Sequence, residues 1–130
     1  MNIPFKNFIP GIAWFFLVTI LLFIPADDLP STSIFPWLNF IYFDKLVHAG
    51  LFGGMAFLFM WPVGISSIAK ANKIKWMLFI AIAGLGWGII TEIVQHYLPG
   101  RNFDWTDWLA DTVGISGTYL FIKWLLRKRL

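Results

Sequence analysis

Hydrophobic residues in this chain come in long unbroken blocks, not in the short periodic stripes of a water-soluble fold. Phe8 to Ile24 holds no charge, and in Leu46 to Val63 the only ionisable residue is His48. Trp76 to Thr91 is apolar and continues through Glu92 to Leu98, while Trp108 to Leu126 carries Asp111 near its start and Lys123 near its end. A helix crosses a bilayer with about 17–25 mostly apolar residues. The pattern therefore predicts an all-α integral membrane bundle of four transmembrane helices, near 8–24, 46–63, 76–98 and 108–126, in one domain spanning 1–130.

Composition narrows the classes further. The 130 residues are 58% hydrophobic and 13% charged, against about 25% charged in a soluble domain. Too few polar side chains are present to cover a water-facing surface, and too much apolar bulk for a disordered chain. Cysteine is absent, which excludes disulfides, thiolate metal sites and a cysteine nucleophile. Lys6 before the first block suggests a signal peptide. However, Ile24-Pro25-Ala26-Asp27-Asp28 contains no small-x-small cleavage site, so an uncleaved anchor helix is expected.

The net charge of +3 raises the question of nucleic acid, but the basic residues form no recognition helix or aromatic-interleaved surface. They instead sort by side of the membrane. Eight of the ten (Lys6, Lys70, Lys73, Lys75, Lys123, Arg127, Lys128, Arg129) fall on one side. All seven acids fall on the other, accompanied by Lys45 and Arg101. The positive-inside rule then places both termini in the cytoplasm and the acidic side outside, as for a multi-pass membrane protein. Between the first two spans, Ile34 to Phe43 is too short to cross and rich in aromatics. It reads as an interfacial anchor, with the wall of a lipid-facing groove as the alternative.

Ionisable residues in or beside spans are costly and mark candidate sites. Asp44 and His48 open the second span, Glu92 and His96 close the third, and Asp107 and Asp111 open the fourth. Each pair is four residues apart, hence on one helix face. In antiparallel helices this spacing predicts two layers: an outer one of Asp44, His96 and Asp107, and an inner one of His48, Glu92 and Asp111. Phe52 and Met55, Gly88 and Leu85, and Gly114 follow beneath, so the expected site is a polar cup with an apolar floor. Gly50 with Gly54 and Gly84 with Gly88 are small-xxx-small pairs suited to close helix packing. Leu98 to Trp105 is the outer turn, broken by Pro99-Gly100 and carrying Arg101, which suits either a charge-balancing ion pair or an anionic ligand.

These residues resemble the VanZ-like family of small bacterial membrane proteins. The likeness rests on Asp44-Lys45-x-x-His48 and Glu92-x-x-Gln95, followed by Pro99-Gly100-Arg101, Asp104-Trp105-x-Asp107 and Asp111-x-x-Gly114. The ordered set runs over most of the chain, from about Asp44 to Gly117. Asp111 departs from the pattern, since the family often has Asn there; the extra acid favours a metal or an altered proton affinity. The family is named for a protein linked to lowered susceptibility to the glycopeptide teicoplanin. The resemblance therefore implies a cell-envelope setting and an outward-facing site.

Three function classes follow. In the first, the site binds a lipid-linked envelope precursor, a glycopeptide or a partner protein, with contacts from Asp44, Lys45, Gln95, Arg101, Asp104 and Asp107. In the second it is an enzyme: Glu92 and His48 are general acid and base, Asp111 is the orienting group, Arg101 with Lys45 holds an anionic substrate, and water is the nucleophile. No cofactor is required by either reading. A divalent metal is an option because His48, Glu92, His96 and Asp111 are suitable ligand types, although their spacing matches no zinc signature. The third class, an ion-coupled transporter, conflicts with the apolar floor. A purely structural role, with helix ends tied by ion pairs, explains any one pair more readily than the whole set.

Overall fold

The computed structural model describes residues 3–25 and 43–128. Residues 34–42 of the segment expected to be interfacial, together with Asp27, Asp28 and Arg129, lie outside the described residues; its last residue, Phe43, opens a helix. Among the described residues the elements are a short 3-10 turn (Phe5–Phe8) and four α-helices, with no strand. The helices are α1 (Ile9–Phe23), α2 (Phe43–Ile65), α3 (Lys70–His96) and α4 (Trp105–Leu125). The turn with α1, then α2 and α3, are long and apolar enough to cross a membrane. The 21 residues of α4 would extend about 31 Å at 1.5 Å each, but Asp107 and Asp111 near its start and Lys123 near its end leave only Thr112 to Ile122 free of charge, and it is not among the helices apolar enough to cross.

Side-chain contacts fix an up-down-up-down arrangement. The Phe8 ring stacks on Phe59, and the indole of Trp14 donates to Leu51 O at 3.0 Å, so α1 runs against α2. Phe15 meets Trp87, and Gln95 Nε2 donates to Leu22 O at 2.9 Å, so α1 runs with α3. The indole of Trp108 donates to Leu85 O at 3.1 Å, holding the start of α4 against the second half of α3. Ile122 and Leu126 lie against Gly64 at the far end of α2. Both ends of the described chain therefore sit at the end of the bundle where α2 turns into α3.

The tightest contact is α2 on α4. A Cβ on Gly114 would stand 2.1 Å from Ala49 O, and one on Gly53 would stand 3.2 Å from Gly114 O. Backbone lies on backbone there, and Thr118 Oγ1 donates to Gly53 O at 3.0 Å one turn further on. Small residues allow such approaches in membranes, where dispersion and interhelical hydrogen bonds drive association. Of the pairs expected from spacing, Gly84 and Gly88 both face α4, whereas Gly50 and Gly54 do not act as one surface. Gly50 has nothing within 4 Å of its Cβ position, Gly54 abuts the Trp14 ring, and Gly84 receives Ile115. The close-approach surface is set by which faces meet, and that is a property of two helices.

Candidate functional site

At the end where α2 and α4 begin and α3 stops, the polar residues form two layers. The inner one is His48, Glu92 and Asp111, one residue from each of three helices, with relative exposures of 5%, 0% and 0%. His48 Nδ1 and Asp111 Oδ1 lie 3.0 Å apart. With the carboxylate accepting, the proton resides on Nδ1, and Nε2 faces Asp107 Oδ2 at 3.8 Å. The close crossing at Gly114, three residues beyond Asp111, brings these two side chains within reach.

Glu92 is held from the loop. Its Oε2 accepts the Asp104 backbone N–H at 3.1 Å, while Oε1 is buried with no hydrogen-bond partner among the described residues. Asp111 Oδ2 is likewise buried and unpartnered, facing Gly88, where a Cβ would stand 3.0 Å from it. Phe52, fully buried, lies below. Its ring edge comes within 3.6 Å of that same Gly88 Cβ position.

The outer layer is a clasp around one ammonium. Lys45 Nζ donates to Asp44 at 3.0 Å, to Asp104 at 2.7 Å and to Asp107. An ammonium has three N–H donors, and all are engaged. Asp104 also caps α4: its Oδ1 accepts the Thr106 N–H at 2.8 Å and the Thr106 hydroxyl at 2.6 Å. The Lys45 ammonium and then the Thr106 hydroxyl hold the Asp104 carboxyl well below the usual carboxylate range, at about 2.

Of the expected layers, the inner three are brought together, and Asp44 and Asp107 meet in the outer one with Asp104. His96 takes no part; it is exposed and packs edge-on against Tyr97. The buried stripe of α3 runs Gly84, Gly88, Thr91, Glu92, Gln95. With 3.6 residues per turn, a step of seven from Gly88 returns to the same face, whereas a step of eight rotates about 80° away. Gln95 is therefore inside and His96 outside. Gln95 and Arg101 both reach α1: Gln95 holds Leu22 O, and Arg101 Nη2 donates to Ile24 O at 3.3 Å, with its Nε buried and unpartnered among the described residues. They satisfy carbonyls that the end of α1 leaves without helical partners. Gly88 lies beneath the acids as its place in the expected floor implies, whereas Thr106 joins the site outside the expected set. Asp104-x-Thr106 at a helix start is the capping pattern from which Thr106 was legible.

One to two turns beneath the inner layer, a groove of about 270 Å³ opens between α1, α2 and α3. Met55, Gly84 and Ile115 form its floor, and Phe79 and Ala83 at its rim are exposed on the outer face of α3.

Apolar spanning helices around a buried, three-helix polar cluster define a helical membrane protein with a polar site at one end of its bundle. The family model described as VanZ/LLP1 matches residues 3–127, and the chain belongs to that family. No curated protein and no solved structure matches it.

Proposed function

We propose that this is a multi-pass protein of the bacterial cytoplasmic membrane that takes a lipid-linked envelope precursor from the outer leaflet. The observation that carries the reading is the stacking of a polar site on an apolar groove. Asp107 in the outer layer and Ile115 in the groove floor are on one helix, about 12 Å apart at 1.5 Å per residue. A molecule with a polar head and a hydrocarbon tail meets both. Burying charge inside a membrane bundle is expensive, which favours a functional reason for keeping it there. A second reading, hydrolysis or group transfer on the same precursor, is favoured by the 3.0 Å contact of His48 Nδ1 with Asp111. Such a carboxylate orients an imidazole to act as base toward water.

Orientation follows the charges, with the acidic end outside and four crossings in all. Reporter fusions after Lys70 and after Asp104 are expected to report cytoplasmic and outer locations respectively. Equal locations would end both the orientation and the outer-leaflet site.

For the ligand, protein reconstituted in vesicles should be photolabelled by a polyprenyl phosphate carrying a photoreactive group in its tail. Excess unlabelled polyprenyl phosphate should compete. Ala83→Trp, at the exposed rim of the groove, should cut labelling about tenfold, roughly 1.4 kcal/mol of affinity. Labelling that neither the competitor nor Ala83→Trp reduces would sink the reading.

A further inference from the structure

We infer that His48, Glu92 and Asp111 hold one divalent first-row metal ion, zinc or manganese. One potential ligand atom from each residue lies within 4.8 Å of the other two. Ligands bound at about 2.0–2.2 Å to a common ion stand roughly 3–4 Å apart. The 3.0 Å between His48 Nδ1 and Asp111 Oδ1 already falls in that range; binding through Nδ1 would displace its proton to Nε2, toward Asp107 Oδ2 at 3.8 Å. With all three ligand atoms within 4.8 Å of one another, Glu92 lies within about 1–2 Å of that range.

The unpartnered oxygens point the same way. Glu92 Oε1 and Asp111 Oδ2 belong to fully buried side chains and accept no hydrogen bond among the described residues. Leaving such an atom unsatisfied costs about 1–3 kcal/mol, and more for a charged group. The nearby cation offers no relief, because Lys45 is shared among Asp44, Asp104 and Asp107. Gly88 contributes too: the Cβ that any other residue would carry stands 3.0 Å from Asp111 Oδ2 and would crowd that oxygen.

Size selects the guest. With relative exposures of 5%, 0% and 0%, the three residues present almost no surface to a head group. An ion, however, needs only ligand atoms. One imidazole nitrogen with two carboxylate oxygens is a donor set for zinc, manganese or iron, whereas magnesium and calcium prefer oxygen alone. Three protein ligands also leave a coordination position for water or a substrate oxygen, as catalytic zinc sites do. The ion would supply the positive charge that a phosphate-bearing head requires among five carboxylates. That last step alone rests on the lipid-precursor reading.

The test uses full-length protein in detergent, stripped with a chelator and dialysed against zinc or manganese. About one equivalent of ion per chain should be retained by elemental analysis, with a higher melting temperature than the stripped form. Asp111→Asn and Glu92→Gln should each lose most of the retained ion. His96→Ala, altering the exposed histidine, should keep it. Cobalt(II) added to stripped protein should give visible bands that disappear in Asp111→Asn, a spectroscopic check on the wild-type fold itself. No retained equivalent and no cobalt bands would overturn the site, as would equal retention in the wild type and both carboxylate variants. Photolabelling by polyprenyl phosphate is scored separately. Labelling without metal leaves the lipid reading standing and ends this one; metal without labelling does the reverse.

Discussion

Gly114→Ala is expected to unfold or strongly destabilise the bundle, whereas Gly117→Ala on the same helix should be tolerated. The added methyl at position 114 would sit 2.1 Å from Ala49 O and 2.9 Å from Ala49 C, both backbone atoms of α2. No rotamer change relieves such a contact. The two helices must separate, which breaks the Thr118–Gly53 hydrogen bond and draws His48 away from Asp111. Overpacking of a well-filled interior costs about 1–3 kcal/mol, and rigid backbone on both sides places this case at the upper end. At Gly117 nothing lies within 4 Å of the Cβ position. Alanine there should be neutral or stabilising by up to about 1 kcal/mol through helix propensity. Melting curves in one detergent measure both. Equal melting temperatures for the two variants would show that the α2–α4 approach is not as close as described.

Glu92→Gln is expected to abolish ligand function while leaving a folded protein. Glutamine keeps the length of the side chain and an oxygen able to accept the Asp104 N–H, now made at 3.1 Å. It removes the charge and adds an NH₂ donor close to Asp111 and His48. A buried carboxylate with an unpartnered oxygen is a poor stabiliser, so in metal-stripped protein its neutralisation should change stability by no more than about 1 kcal/mol. Photolabelling should fall at least tenfold. A Glu92 that serves only to tie helix ends predicts the opposite pattern: breaking a buried pair costs about 3–5 kcal/mol, and labelling per folded molecule is unchanged. Melting temperature and labelling measured on the same preparation separate the two. A variant that is stable and labels fully would remove Glu92 from the site.

The class of protein was legible in the sequence because hydrophobic blocks of membrane-crossing length have few alternative uses. Asp44, His48, Glu92, Asp107 and Asp111 were legible as a group for a related reason: charge near a span is rare, and four-residue spacing places each pair on one face. The order Asp44-Lys45-x-x-His48 to Asp111-x-x-Gly114 also carried the family. The positions of the helix ends depended on polar residues that extend past the apolar blocks. α2 begins at Phe43, α3 at Lys70 and α4 at Trp105, each before its hydrophobic stretch. Lysines and capped acids continue a helix beyond the hydrocarbon without continuing its hydropathy.

What the chain determined alone was therefore local and one-dimensional: which segments are helical and apolar, which ends are acidic or basic, and which residues share a face. The tertiary structure decided which faces meet. Gly114 and Gly53, not Gly50, became the surface of closest approach, because contact depends on rotation of α2 against α4. Glu92 and Gln95 turned inward and His96 outward, because eight residues overshoot two turns of a 3.6-residue helix. Arg101 and Gln95 went to the carbonyl end of α1, which no spacing within α3 or its loop specifies. The meeting of His48, Glu92 and Asp111 within 4.8 Å is likewise a fact of three helices. Periodicity along a single chain records the direction of each side chain about its own axis, while the separation and rotation of neighbouring axes come only from packing.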